Sequence, residues 1–243
     1  ATNATGTSAV YTGGTVTSSG YVVTYNANYS GGTVTPSTAT YNSGVPLTLP
    51  LPVRSGYSFL GWYTESGTTN FVGSDGSNYS PSGAITLYAK WEGITYAISY
   101  NGNGATGGSA PSNGTYQTGG TSYSVTANAG TLTKTGYTFS AWHDNPSGTG
   151  SAITSYSTSA DKTLYAKWTP NTYTITYNSN SGTGTAMRAT DSFTVGNNAV
   201  TLPGSNGFSR SGYTFMGWLA SQSDTTTVTS PYAPSASITL YAY

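Results

Sequence analysis

The sequence predicts a mainly β protein of three tandem repeat units with little or no helix, and three observations carry that prediction. Apolar residues alternate in short runs, as in Tyr96, Ile98 and Tyr100 or Leu87, Ala89 and Trp91, the period of two that puts one set on one face of a strand. Gly, Asn, Pro and Ser bound these runs, and no stretch combines a helical period with helix-forming composition. Finally, blocks recur in one order. Tyr25-Asn26, Tyr100-Asn101 and Tyr177-Asn178 are spaced by 75 and 77 residues; SGYSFLGW ending at Trp62 returns as TGYTFSAW at Trp142 and SGYTFMGW at Trp218; TLYAKW at 86–91 returns at 163–168 and as TLYAY at 239–243.

In chain order, residues 1–20 form a Thr/Ser/Gly-rich arm, followed by units at 21–92, 93–169 and 170–243. Strands are expected near 21–26, 45–50, 57–64 and 85–91 of the first unit, with equivalents in the others, because Thr, Tyr, Val and Ile suit a pleated surface. The Asn after Tyr25, Tyr100 and Tyr177 ends the first strand, and the Gly before Tyr57, Tyr137 and Tyr213 supplies positive φ or a tight turn. Intervening stretches such as 102–120 are loops. The joints, Glu92-Gly93-Ile94 and Thr169-Pro170-Asn171, are short enough to restrict swinging between units, so the units are expected to form a rod. The arm is too poor in apolar residues to order itself. Its segment 9–17, with Val10, Tyr11 and Val16, is a candidate donor strand for an exposed sheet edge in its own chain or a neighbour's.

Composition removes whole classes of function. With 7 Lys plus Arg against 7 Asp plus Glu there is no basic footprint for a phosphate backbone, so no nucleic-acid partner is expected. No Cys and one His leave no thiolate and few metal ligands, so neither cofactor nor metal is expected. The apolar-looking run 45–53 is broken by Pro46, Pro50 and Pro52, and no membrane span is expected. The opening ATNATG does not read as a signal peptide.

The blocks YNGNGATGG (100–108), TGYTFSAWH (135–143) and KTLYAKW (162–168) together resemble the Listeria-Bacteroides repeat of internalin-type and other bacterial surface proteins, and the likeness extends over all three units. The resemblance implies small β-grasp-like domains and an exported, extracellular, non-enzymatic part in surface display or adhesion. The third unit departs from the pattern: Tyr243 aligns with Lys90 and Lys167, and the following Trp has no counterpart.

Individual residues point the same way. Trp62, Trp91, Trp142, Trp168 and Trp218, with Tyr57, Tyr137 and Tyr213, are expected to anchor the cores, since large rings bury much apolar area. His143-Asp144 invites a catalytic reading, but Tyr63 and Leu219 hold the equivalent place in the other units, and no catalytic residue is assigned. Lys90 and Lys167 alternate away from Leu87, Ala89 and Trp91 and are expected to be solvated rather than cross-linked. Residues 74–78, SDGSN, lack the carboxylates of a calcium loop and read as a turn. The triplets at Asn3, Asn28, Asn78 and Asn113 fit glycosylation acceptors. The expected function is a structural or adhesive element of a microbial surface; the alternatives are a filament subunit joined through the arm and a carbohydrate-binding array. Partners would be a second copy of the chain, a host or cell-surface protein, or a glycan.

Overall fold

A computed structural model describes residues 20–128 and 131–243. The proposed donor residues Val10, Tyr11 and Val16 therefore lie outside the described residues. The described residues are all β, with no helix, and hence contain no helix long and apolar enough to cross a membrane.

The first repeat carries β1 (Tyr21–Asn26), β2 (Thr38–Tyr41), β3 (Leu47–Thr48), β4 (Tyr57–Tyr63), β5 (Phe71–Gly73), β6 (Asn78–Tyr79) and β7 (Ile85–Gly93). Its sheet runs β2-β1-β7-β4-β5. The first and last long strands pair in parallel at the centre, with Val23 opposite Ile85 and Asn26 opposite Tyr88, and β2 and β4 flank them antiparallel. This arrangement is compatible with a β-grasp-like sheet. The short ribbon β3-β6 lies apart from it.

The second repeat repeats the plan with β8 (Thr95–Asn101), β9 (Gly114–Gln117), β10 (Tyr123–Ser124), β11 (Tyr137–His143), β12 (Ser155–Tyr156) and β13 (Lys162–Pro170), in the order β11-β13-β8-β9 with a β10-β12 ribbon. The third has β14 (Thr172–Asn178), β15 (Thr190–Thr194), β16 (Trp218–Leu219) and β17 (Ile238–Ala242), in the order β15-β14-β17-β16, and its ribbon shrinks to one bridge, Val200 to Tyr232.

Contacts gather the chain into two units. One holds the residues through Thr95 together with Gln117–Gly120; the other holds Tyr96–Tyr116 and Thr121–Tyr243. Within each repeat, alternation sends one strand face into a single core. In the first, Val23 and Tyr25 of β1, Leu87 and Ala89 of β7 and Trp62 of β4 meet Val34 and Leu49 from the loops. Ile98, Trp142, Leu164 and Ala166 do the same in the second, and Ile175, Tyr177, Trp218 and Leu240 in the third.

Three strand expectations change. The run 45–50 is a strand only at Leu47–Thr48, because Pro46 and Pro50 bracket it and neither can donate to a ladder. β2 falls in a stretch expected to be loop, as does its counterpart β9 within 102–120, since TATY and GTYQ are too short for alternation to register; β2 is fixed only by its pairing to β1. In the third repeat the strand expected to match β4 survives only as β16. In the first repeat Tyr57 to Phe59 pair with Gly93 to Trp91, whereas in the third Trp218 and Leu219 pair with Ala242 and Tyr241.

Candidate functional site

The recurring polar residues build a framework that is nearly the same three times. Asn26, Asn101 and Asn178 close the first strand of each repeat by accepting the N–H of the Asn two residues on, at 2.7 to 2.8 Å. Those second residues, Asn28, Asn103 and Asn180, sit at φ of 60°, 49° and 50°, the left-handed region that Asn tolerates better than most side chains. Each side-chain amide reaches the last strand, donating to the carbonyl of Ala89, Ala166 or Ala242 at 2.8 to 3.1 Å. Asn28 and Asn103 donate also to Ser66 after β4 and to Pro146 after β11, and Asn180 instead accepts from Gln222. One amide thus ties three segments together. The second Asn of each N-x-N shows itself in the sequence by its own recurrence at 28, 103 and 180.

Around this clamp lie two indoles and a phenyl ring. Trp62, Trp142 and Trp218 are buried, while Trp91 and Trp168 are half-buried. Phe59 packs edge-on against Trp62 and Trp91 at 5.4 and 5.5 Å, and Phe139 against Trp142 and Trp168 at 5.3 and 5.8 Å. Such offset ring pairs add to the burial of apolar area. Trp91 donates its indole N–H to Ala27 O at 2.7 Å, and Trp168 to Gly102 O at 2.9 Å. Trp62 and Trp218 donate to Pro50 O and Pro203 O, both at 2.8 Å, whereas the buried Trp142 Nε1 has no partner. The phenylalanines were not singled out from the sequence, although GYxF recurs in every unit.

Tyr57, Tyr137 and Tyr213 are not core anchors. Tyr57 and Tyr137 are half-buried and Tyr213 is 69% exposed, all three outside the hydrophobic clusters. Each follows a turn in which its N–H returns to the carbonyl of Arg54, Lys134 or Arg210, with the intervening Gly at φ of 77° to 78°. That turn sets the cation over the ring, 3.6, 4.8 and 4.3 Å from the centroid.

The first two of these turns belong to joints. Asn171 donates its N–H to Gly136 O and accepts from Val195 N–H, at 2.9 and 3.0 Å, while its side-chain oxygen accepts from Thr138 Oγ1 at 2.7 Å. Ile94 makes the same backbone pair with Gly56 O and Thr118 N–H. A Cβ on Gly136 would approach Val195 to 3.0 Å, and one on Gly56 would approach Thr118 equally closely, so glycine permits both the turn and the clasp. The hydroxyls of Tyr57 and Tyr137 lie against Gly119 and Gly196, at the tips that form these clasps. A tip of this kind is what half-buries a tyrosine at that position.

His143 is buried at 3% exposure, with Nδ1 3.2 Å from Thr149 O, in the place Leu219 fills in the third repeat. Lys90 is half-buried with Nζ 5.1 Å over the Tyr63 ring, and Lys167 donates to Gly148 O at 2.8 Å. Residues 74–78 form a turn in which Gly76 N–H donates to Leu49 O. Among the described residues no three of His, Asp and Glu come together as metal ligands. The open face of each sheet carries Thr86, Tyr88 and Lys90 in the first repeat, and Ser99, Thr163, Tyr165 and Lys167 in the second, where Ser99 and Thr163 hydroxyls lie 3.0 Å apart.

The profile of the Listeria-Bacteroides repeat domain matches residues 21–90, 96–167 and 173–243. A protein of Evansella cellulosilytica described as a candidate membrane protein is 33% identical over 181 residues, 74% of this chain and 26% of that protein. A candidate Gly-rich membrane protein of the same organism is 33% identical over 147 residues, 53% of this chain and 16% of its own length. The chain therefore spans about a quarter or less of these longer relatives. With all three matched segments resting on the same Asn clamp and the same buried Trp, the chain belongs to the Listeria-Bacteroides repeat family, a repeat of surface-type proteins.

Proposed function

We propose that the chain is a non-enzymatic, extracellular repeat array, a structural and adhesive element of a microbial cell surface. One observation carries the reading: the recurring Asn, Trp and Gly side chains serve the framework as clamps, core rings and joint turns, while the recurring Thr and Tyr of the last strand lie on the sheet face opposite the core. Tyr presents an apolar face and a hydroxyl at small entropic cost, and repetition lets weak contacts sum along an array. The membrane-protein descriptions of the two relatives support a location at the envelope.

The test is twofold. Antibody to this chain should label intact source cells before permeabilisation, and deleting the repeats from the parent gene should reduce attachment of those cells to host cells or matrix. Labelling only after permeabilisation would overturn the location, and unchanged attachment would overturn the adhesive role.

A further inference from the structure

In the first repeat the space beside the Asn clamp is filled from within. Tyr29, the residue after the clamp Asn28, lays its ring 4.5 Å from the Arg54 guanidinium and edge-on to Trp91 at 6.0 Å. In the second repeat the residue after Asn103 is Gly104, while Lys134 and Trp168 hold the places of Arg54 and Trp91. The ring has no counterpart there, and a recess of 190 Å³ opens instead, lined by Asn103, Lys134, Tyr137, Lys167, Trp168 and the turn 146–148. A Cβ on Gly104 would come within 3.2 Å of Lys134 Nζ, so any side chain at that position would crowd the ammonium.

The recess is rich in donors and poor in acceptors. Two of the chain's seven Lys and Arg share it, and among the described residues neither forms an ion pair. The carbonyls at its rim are already taken: Gly102 O by Trp168 Nε1–H, Pro146 O by Asn103 Nδ2–H and Gly148 O by Lys167 Nζ–H. An ammonium has three donors, so both lysines keep N–H groups that no described acceptor answers. The side-chain oxygen of Asn103, whose amide is spent on Pro146 O and Ala166 O, accepts from no described group. The volume falls below the about 300 to 1,000 Å³ of sites that enclose drug-sized ligands, which leaves room for a single ring.

We propose that the recess binds one pyranose ring bearing a carboxylate, a uronic acid unit of an acidic glycan. The carboxylate accepts from Lys134 and Lys167, a ring hydroxyl donates to Asn103 Oδ1, and the ring lies against Trp168 as Tyr29 lies against Trp91 in the first repeat. Bonds between an ammonium and a carboxylate are the strong ones and supply the affinity, while the ring-shaped space supplies the specificity. A neutral sugar leaves both ammoniums unanswered, and an acidic peptide side chain brings the charge without the ring. The site does not require the adhesive role, since an acidic glycan of the cell's own envelope would occupy it equally.

The test titrates methyl glucuronide, methyl glucoside and N-acetylaspartate into the full chain and follows amide chemical shifts. The glucuronide should give saturable shifts gathered at 102–104, 134 and 146–148, and the glucoside and the aspartate should each bind at least about tenfold more weakly, as loss of a charge-assisted hydrogen bond or of the ring would cause. Lys134→Gln should weaken the glucuronide about tenfold while the amide pattern elsewhere stays in place. Lys134→Arg, which sets there the cation that Arg54 supplies in the first repeat, should bind as the parent does. No saturable shifts at millimolar glucuronide, a glucoside or an aspartate that binds equally well, full affinity in Lys134→Gln, or a Lys134→Arg chain as weak as Lys134→Gln would each overturn the proposal.

Discussion

At the scale of single residues, the repeats offer the same side chain in three electrostatic settings. Tyr25 has a buried hydroxyl with no partner, Tyr100 donates to Tyr123, and Tyr177 donates to Asp191 at 2.6 Å, whose carboxylate is also 3.0 Å from Arg188. An unsatisfied buried hydroxyl carries a desolvation cost without a hydrogen bond to offset it. Tyr25→Phe is thus expected to leave the first repeat as stable or more so, whereas Tyr177→Phe should cost the third about 1 to 3 kcal/mol. Thermal melts of the two variants separate these outcomes, and an equal loss in both would contradict the assignment. Burial, then the bond to Tyr123, pushes Tyr100 from 10.0 up to about 12. The unfolded chain gives up this proton first, so it binds fewer protons than the native state between those values and stability falls as pH rises through them. Denaturation midpoints from pH 9 to 12 should decline less steeply in Tyr100→Phe than in the parent. Trp142→Ala, removing a ring that is 2% exposed, should destabilise its repeat by about 3 to 5 kcal/mol, read by calorimetry.

At the scale of elements, the Asn clamp decides how the first strand, the last strand and the loop between them meet. Asn103→Gly keeps access to the left-handed conformation while losing the bonds to Pro146 O and Ala166 O. It should cost about 1 to 3 kcal/mol, and Asn103→Ala should cost more because it adds backbone strain. Chemical denaturation of the pair measures both, and an Ala variant as stable as the Gly variant would show that φ contributes nothing. Strand period was legible in the sequence because β1, β7 and β13 each bury alternate residues, Val23 and Tyr25, Leu87 and Ala89, and Leu164 and Ala166. β2 was not, because four residues fixed by a neighbour's edge leave no periodic trace. Phe59, Phe139 and Phe215 were overlooked for a related reason. Their importance comes from the rings of distant strands, such as Trp91, that gather around them.

At the scale of the whole molecule, repetition showed the three-unit plan plainly, since the shared blocks keep one order along 243 residues. The part played by Tyr57 and Tyr137 was hidden. A tyrosine repeated beside a tryptophan looks like a core ring when one unit is considered alone, yet these two are packed by the turns after β9 and β15, whose sequence belongs to the next repeat. The third, Tyr213, is exposed. Asn171→Pro removes the N–H given to Gly136 O and the side-chain bond from Thr138, and so should loosen the second repeat from the third within their unit. Backbone relaxation should then report separate tumbling of the two repeats while each keeps its own amide pattern. A single shared correlation time would show the clasp to be dispensable.

The central parallel pairing has a consequence for tension. In each repeat the chain enters at the start of the first strand and leaves at the end of the last, and these two strands lie side by side pointing the same way. A pull on the array therefore drags neighbouring strands past each other in opposite directions. Their rungs are loaded together in shear rather than peeled one at a time, so extension meets resistance from the whole ladder at once.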